Sequence, residues 1–415
     1  MRLAVTAAFT AGAMVVVPAA GAAAANRPVT PEFVGIQDDL TRPNQAGAWG
    51  SARMYAKWCQ VQPTSADNAG ASAQVALGRA FQTHADMGVT RLTVSLGHPA
   101  PWFFGNHPAA VANSNKRIWF CGGAAAGGAF PSVAMLRAPE TRSAYEAYIV
   151  GVIEAGRPYL SANPANRIVL QAWNEPNLLN GGAPSTKIPG AAGTWKQASD
   201  SLQEQERIIR AVAASMIPGR FEITTPSIYG KKTSLGTHYF KAQAKKRTVD
   251  SISLNFYTLR QSSVNKSLTL WKKKASTAKK VVTKHKKLRK LPIWITETNH
   301  NLINGIPNRG NVTSFWATPN AQKRLVEVTT MEALRQGFAG IQWYQGAPEQ
   351  TAVNAQAGSV ATAASTALIG ELVGRRVTKC SVKKSTTTCS MSARPGSGAI
   401  KVSWSSKGSA GVSIR

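Results

Sequence analysis

Acidic residues are scarce in this chain: 19 Asp and Glu stand against 49 Lys and Arg in 415 residues, a formal net charge of +30. The deficit is uneven. Between Lys231 and Lys290 there are 18 basic residues and one acid, Asp250. Such a region would attract a polyanion: an anionic cell-wall polymer, an acidic glycan or nucleic acid. Specific nucleic-acid binding is disfavoured, because the lysines are not interleaved with aromatics and match no binding motif. The plainer reading is a solvated helix face that keeps the protein soluble.

Histidine and cysteine are also few, with six and four residues. Their spacing matches no zinc site, which argues against a structural metal, and no cofactor is expected. An even number of cysteines suits an oxidising compartment. Cys380 and Cys389 flank a short polar segment, Ser381 to Thr388, and are expected to close a hairpin, leaving Cys59 and Cys121 as a second pair. No apolar run of about 20 residues, the length of a membrane span, occurs after the N-terminus. The N-terminus itself has Arg2, an apolar stretch from Leu3 to Val17, and Ala23-Ala24-Ala25 before Asn26. This pattern predicts a secretory signal over residues 1–25 and an exported, extracellular mature chain.

What is abundant is alternation between strand and helix. Short apolar runs at Phe33–Gln37, Ala52–Tyr55, Arg91–Leu96, Arg167–Trp173, Phe221–Thr225, Val249–Tyr257, Pro292–Thr298 and Gly340–Tyr344 predict eight strands. Helical spacing at Ala71–Met87, Thr141–Tyr159, Gly193–Met216, the lysine-rich segment up to Lys290, Pro319–Gln336 and Ala361–Val373 falls between and after them. Eight strands in that rhythm predict an α/β fold, a closed (β/α)8 barrel over residues 26–374. After Gly374 the texture changes to short alternating strands, so residues 375–415 are expected to form a small β appendage. So small a unit needs a staple, and a disulfide would be one.

Two strands deliver an acid at their C-terminal ends. One is Glu175 in Trp173-Asn174-Glu175-Pro176-Asn177, after strand four; the other is Glu297 in Ile295-Thr296-Glu297-Thr298, on strand seven. In a barrel these ends face one pocket, and two carboxylates across a pocket are the minimum needed to cleave a glycosidic bond. Helix capping is the bland alternative for either one alone.

With Asn-Glu-Pro after strand four and Glu ending strand seven, the sequence resembles the clan A glycoside hydrolases. The order of features is most similar to family 39 and its relatives: Arg53 on strand two, Leu96-Gly97-His98-Pro99-Ala100-Pro101-Trp102 after strand three, then the strand-four motif. The resemblance spans roughly residues 33–345. It implies a retaining O-glycosidase with Glu175 as acid/base and Glu297 as nucleophile. Asn174 would bond the sugar 2-hydroxyl, Tyr257 the nucleophile, and Arg53 would keep Glu297 ionised. Trp343 would be a stacking platform, with His98, Trp102 and Trp119 as subsite residues. This chain departs from the pattern at Asn255, where related sequences often carry His two residues before the strand-six Tyr, and the sugar stays open. The alternative from a different class is a non-catalytic carbohydrate- or cell-wall-binding barrel, favoured by the lysine patch and the appendage and opposed by the presence of both carboxylates.

Overall fold

The computed structural model describes residues 27–37, 49–64, 71–97, 99–105, 129–176, 184–229, 234–302, 317–344, 353 and 359–415. The expected signal segment, Asp38, Asp39, His98, Trp119 and Cys121 lie outside them.

Eight parallel strands make the barrel: β1 (Val34–Gln37), β2 (Ser51–Tyr55), β3 (Arg91–Ser95), β4 (Arg167–Gln171), β5 (Phe221–Thr224), β6 (Ile252–Asn255), β7 (Ile293–Thr298) and β8 (Gly340–Tyr344). Each of the first five pairs with its successor except β5, and β6, β7 and β8 continue the ladder back to β1, where Gln37 is opposite Tyr344. The remaining seam, β5 to β6, is held by the bridge between Thr224 and Ser251 and by Thr225 N–H donating to the Ser251 carbonyl. Strand pairing is tight where side chains are absent. A Cβ on Gly35 would lie 2.1 Å from Ser51 Oγ, so glycine is required for β1 to approach β2.

Around the strands run α1 (Ala71–Asp86), α2 (Pro139–Ala155), α3 (Trp195–Met216), α4 (Ser234–Lys245), α5 (Val264–Thr283), α6 (Pro319–Arg335) and α7 (Val360–Leu372). Their starts carry the expected chemistry: Thr194, Ser263 and Ser359 each accept a bond from the backbone N–H three residues on. Each lays an apolar face on the barrel; Leu268, Trp271, Ala275, Ala278 and Val282 do so for α5. The architecture is therefore the (β/α)8 barrel that the sequence pattern predicts. None of the helices is long and apolar enough to cross a membrane among the described residues.

The last strands, β9 (Val377–Lys383), β10 (Thr386–Met391), β11 (Ile400–Ser405) and β12 (Ser413–Ile414), form one antiparallel sheet. Its own core is small: Cys389, Met391, Val402 and Trp404 are buried. The sheet docks on α6, where Arg324 donates to the carbonyls of Ala410 and Ser405, and Glu327 accepts from Val412 N–H. Cys380 and Cys389 face each other across β9 and β10 and are disulfide-bonded. Cys59 is buried and not a free thiol. With a sequence separation of only 9, the Cys380–Cys389 link constrains a short loop. Cys380→Ser/Cys389→Ser should lower stability by about 2–3 kcal/mol. The urea midpoint of appendage unfolding, followed by Trp404 fluorescence, would show no shift if the bond is merely decorative.

Candidate active site

The polar ends of the strands meet at one mouth of the barrel. At its centre is Arg53 on β2, fully buried. A guanidinium cannot stay uncompensated there, and six residues supply acceptors, the Tyr55 hydroxyl at 3.4 Å among them. Nη1 is 2.7 Å from Glu297 Oε2 and 2.9 Å from Gln37 Oε1. Nη2 is 2.6 Å from Asn174 Oδ1, 2.9 Å from Gln171 Oε1 and 3.3 Å from Ser227 Oγ. One cation thus ties together strands one, two, four and seven.

Glu297 is buried on β7 and accepts from two side chains besides: Tyr257 Oη on Oε1 and Asn255 Nδ2 on Oε2 at 3.0 Å. Glu175 sits differently. Its φ is +44°, in the left-handed region that a residue preceding proline avoids. This is local strain of about 1–3 kcal/mol. Ser227 Oγ takes the Glu175 N–H at 3.2 Å and itself donates to Asn174 Oδ1 at 2.6 Å, so a short polar clamp holds the turn. The turn after β3 also leaves room beside it: a Cβ on Gly97, at φ +93°, would lie 2.9 Å from the Ala172 carbonyl.

Asn255 joins the two acids. Its Nδ2 lies 3.0 Å from Glu175 Oε1 and 3.0 Å from Glu297 Oε2, so those oxygens are no further apart than twice that distance. Thr296 Oγ1 donates to Asn255 Oδ1 at 3.0 Å and fixes the amide with its N–H groups towards the acids. Burial pushes the Glu175 carboxyl up, against the Asn255 bond and Arg53. Burial also pushes Glu297 up; the charge of Glu175 adds to the rise and Arg53 opposes it. The pair therefore titrates as a unit that holds a proton above the usual carboxylate range.

Tyr55 completes the wall: its hydroxyl accepts from Gln37 Nε2 at 2.9 Å and from Asn174 Nδ2 at 3.1 Å. Lys57 lies over its ring, 4.5 Å from the centroid. Tyr257 is half-buried and sits edge-on to Tyr344, centroids 5.7 Å apart. Trp343 is fully buried, with its ring 6.1 Å from His300, so it presents no open face here; the half-exposed aromatic at the end of β8 is Tyr344. Trp102 is half-buried, packs edge-on to Trp58 and donates to the Gln62 carbonyl at 2.7 Å. His98 and Trp119 lie outside the described residues.

Behind the wall, α5 supports the site. Trp271 Nε1 donates to Thr298 Oγ1, which donates to the Phe256 carbonyl. Lys274 Nζ donates to the Tyr257 carbonyl. The lysine run is thus not wholly an outer-ring feature, because a long aliphatic stem lets this ammonium reach inward past the helix face. No group of three or more His, Cys, Asp or Glu suited to a metal ion occurs among the described residues.

Comparison with known proteins turns on shape, since no family model and no curated protein matches the sequence. Among solved structures, the chain is similar to a family 39 glycoside hydrolase from the gut symbiont Bacteroides cellulosilyticus WH2. The TM-score is 0.55 at 13% identity, covering 91% of this chain and 71% of that one. The chain shares the (β/α)8 fold of that enzyme. A GH51 arabinofuranosidase from Xanthomonas axonopodis pv. citri gives a TM-score of 0.55 at 9% identity, covering 93% of this chain and 84% of that one. A glycoside hydrolase family 30 subfamily 8 xylanase from Clostridium acetobutylicum gives 0.51 at 14% identity, covering 91% and 82%. The likeness covers 91–93% of this chain, at identities that speak for architecture alone.

Proposed function

We propose that this protein is an exported retaining O-glycoside hydrolase in which Glu175 is the acid/base and Glu297 the nucleophile. The observation that carries the reading is the double contact of Asn255 Nδ2, 3.0 Å from each carboxylate. It puts one oxygen of each within about 6 Å of the other, which favours the roughly 5–5.5 Å carboxyl separation of retaining enzymes over the roughly 6.5–9.5 Å of inverting ones. The donor sets then separate the roles. Glu297 takes bonds from a guanidinium, a phenol and an amide, all of which favour its ionised form. Glu175 takes a single side-chain bond, from an amide, and is the acid in this reading, although burial pushes both carboxyls up.

In this mechanism a Glu297 oxygen attacks the anomeric carbon while Glu175 gives its proton to the departing glycosidic oxygen, leaving a covalent glycosyl-enzyme. Glu175, now a carboxylate, takes a proton from water, and the resulting hydroxide equivalent displaces Glu297 with a second inversion. Asn174 Nδ2 faces the same space, bonded to the Tyr55 hydroxyl, and would exchange that partner for the sugar 2-hydroxyl as positive charge develops at the ring. The test is the release of reducing sugar from plant, fungal and bacterial glycans, with the product anomer followed by NMR in the first minutes. An inverted anomer overturns the retaining assignment. A folded protein inactive across the panel supports the non-catalytic binding barrel instead.

Asn255 gives a finer prediction. Asn255→Ala removes the donor that lowers the Glu175 pKa, so the alkaline limb of the kcat profile should move to higher pH. The lost contacts to both carboxyls should cost about 10²-fold in kcat, the order found for one preorganised donor. An unchanged limb would mean that Asn255 merely fills space.

A further inference from the structure

Several other helices of this protein pair their charges: Arg142 with Glu146, Lys196 with Asp200, Lys323 with Glu327, Arg335 with Glu332. Helix α5 does not. From Val264 to Lys290 the sequence holds no acid at all, and none of the ion pairs among the described residues involves that segment. Uncompensated like charges a turn or two apart oppose helix formation and self-repel. Solubility alone does not require them to lie in one place.

They are in one place. Between α5 and the end of α6 runs an open groove of about 720 Å³, lined by Lys272, Lys273, Lys279 and Lys280 on one side and Arg335 on the other. Arg335 is neutralised by Glu332, so the net charge of the groove comes from the lysines. Lys279 is anchored by donating to the Gln336 carbonyl. Ser276, Thr277 and Thr283 place hydroxyls on the same face. From Lys272 to Thr283 the track is about 16 Å long at the helical rise. At its upper end Lys272 also touches the cleft against the appendage, with Ser385 and Ser406.

We propose that this α5–α6 groove is a second binding site, for one strand of a carboxylated polysaccharide, on the outer wall of the barrel and apart from the catalytic mouth. Ammonium groups spaced along a hydroxyl-lined track suit carboxylates carried on a hydroxyl-rich chain. The lining has no aromatic side chain, which single-stranded nucleic acid requires for stacking, and its one guanidinium is already ion-paired. The choice of a polysaccharide over another polyanion rests on the glycosidase reading; the existence of an anion-binding groove does not.

The test uses the full chain, in wild-type form and as Glu297→Gln, and measures binding to polygalacturonate, to neutral dextran and to single-stranded DNA across a range of salt. Binding to polygalacturonate should fall steeply as salt passes physiological strength, where exposed charges are screened beyond about 8 Å. Lys272→Gln/Lys273→Gln/Lys280→Gln should weaken it at least about tenfold and flatten the salt dependence. Lys284→Gln/Lys286→Gln/Lys287→Gln removes the same charge from exposed positions beyond the groove and should weaken it less than about threefold. Hydrolysis of a small neutral glycoside should be the same in all of these lysine variants. Lys274 is left intact because it supports Tyr257. Equal weakening by both triple variants shows a general charge effect and overturns the proposal, as does dextran binding as strong as polygalacturonate binding. Tighter binding of DNA, abolished by the groove variant, overturns the polysaccharide assignment while keeping the groove. Since binding is read without turnover, a failed glycosidase assay leaves these outcomes unaffected.

Discussion

Glu297→Gln should leave a folded protein that turns over no glycoside, with kcat reduced by about 10⁴-fold or more. The amide keeps the volume and one acceptor, but its oxygen is too weak a nucleophile to form the glycosyl-enzyme. Among the described residues the only other carboxyl bonded into this cluster is Glu175, which is needed as the acid. Folding should survive because Arg53 keeps Gln37, Gln171 and Asn174 as acceptors when the charge of Glu297 is lost. Some stability should go all the same, since a buried cation without its anion is expensive, up to about 3–5 kcal/mol. The check pairs single-turnover kinetics on an activated aryl glycoside with a thermal melt. Residual turnover within a factor of ten of wild type, in a protein that melts normally, would sink the assignment of Glu297.

The barrel is legible in the sequence because most strands are short runs of apolar, often β-branched residues set between helical segments. Glu175 and Glu297 are legible in turn: a carboxylate at the end of a buried strand has nowhere to point but the mouth. The partners of Arg53 are not. Arg53 and Glu297 are 244 residues apart, and a strand's period of two tells which face a residue occupies, never which residue of a distant strand it meets. Gln37, Tyr55, Gln171 and Ser227 therefore read as ordinary polar positions, though Gln171 in an otherwise apolar strand was a hint. In the sequence Asn255 is only a departure from a pattern; its place between two acids depends on Thr296 turning its amide, which no local rule contains. Lys274 is indistinguishable in sequence from its neighbours, because a run of lysines looks like a solvated face whichever stem reaches inward.

Glu175 should show its role through the leaving group. Glu175→Ala should lower kcat/KM by about 10²–10⁴-fold on substrates whose leaving group must be protonated, the usual span for a lost general acid. It should barely affect the first step on aryl glycosides with acidic phenols, which depart unaided. With those substrates the glycosyl-enzyme should accumulate, since no base remains to activate water. Azide, which needs no base, should then enter the space vacated by the carboxyl and restore turnover as a glycosyl azide of the same anomeric configuration as the substrate. The pH profile adds an independent sign. Because burial raises the Glu175 pKa, wild-type activity should persist above the usual carboxylate range and fall as pH rises through the raised value, where the acid loses its proton. That alkaline limb should vanish in Glu175→Ala on activated substrates, while the acidic limb, set by protonation of Glu297, remains. A variant that loses all substrates equally and that azide does not rescue would contradict the role given to Glu175, and would leave its left-handed turn and clamp by Ser227 as features of folding alone.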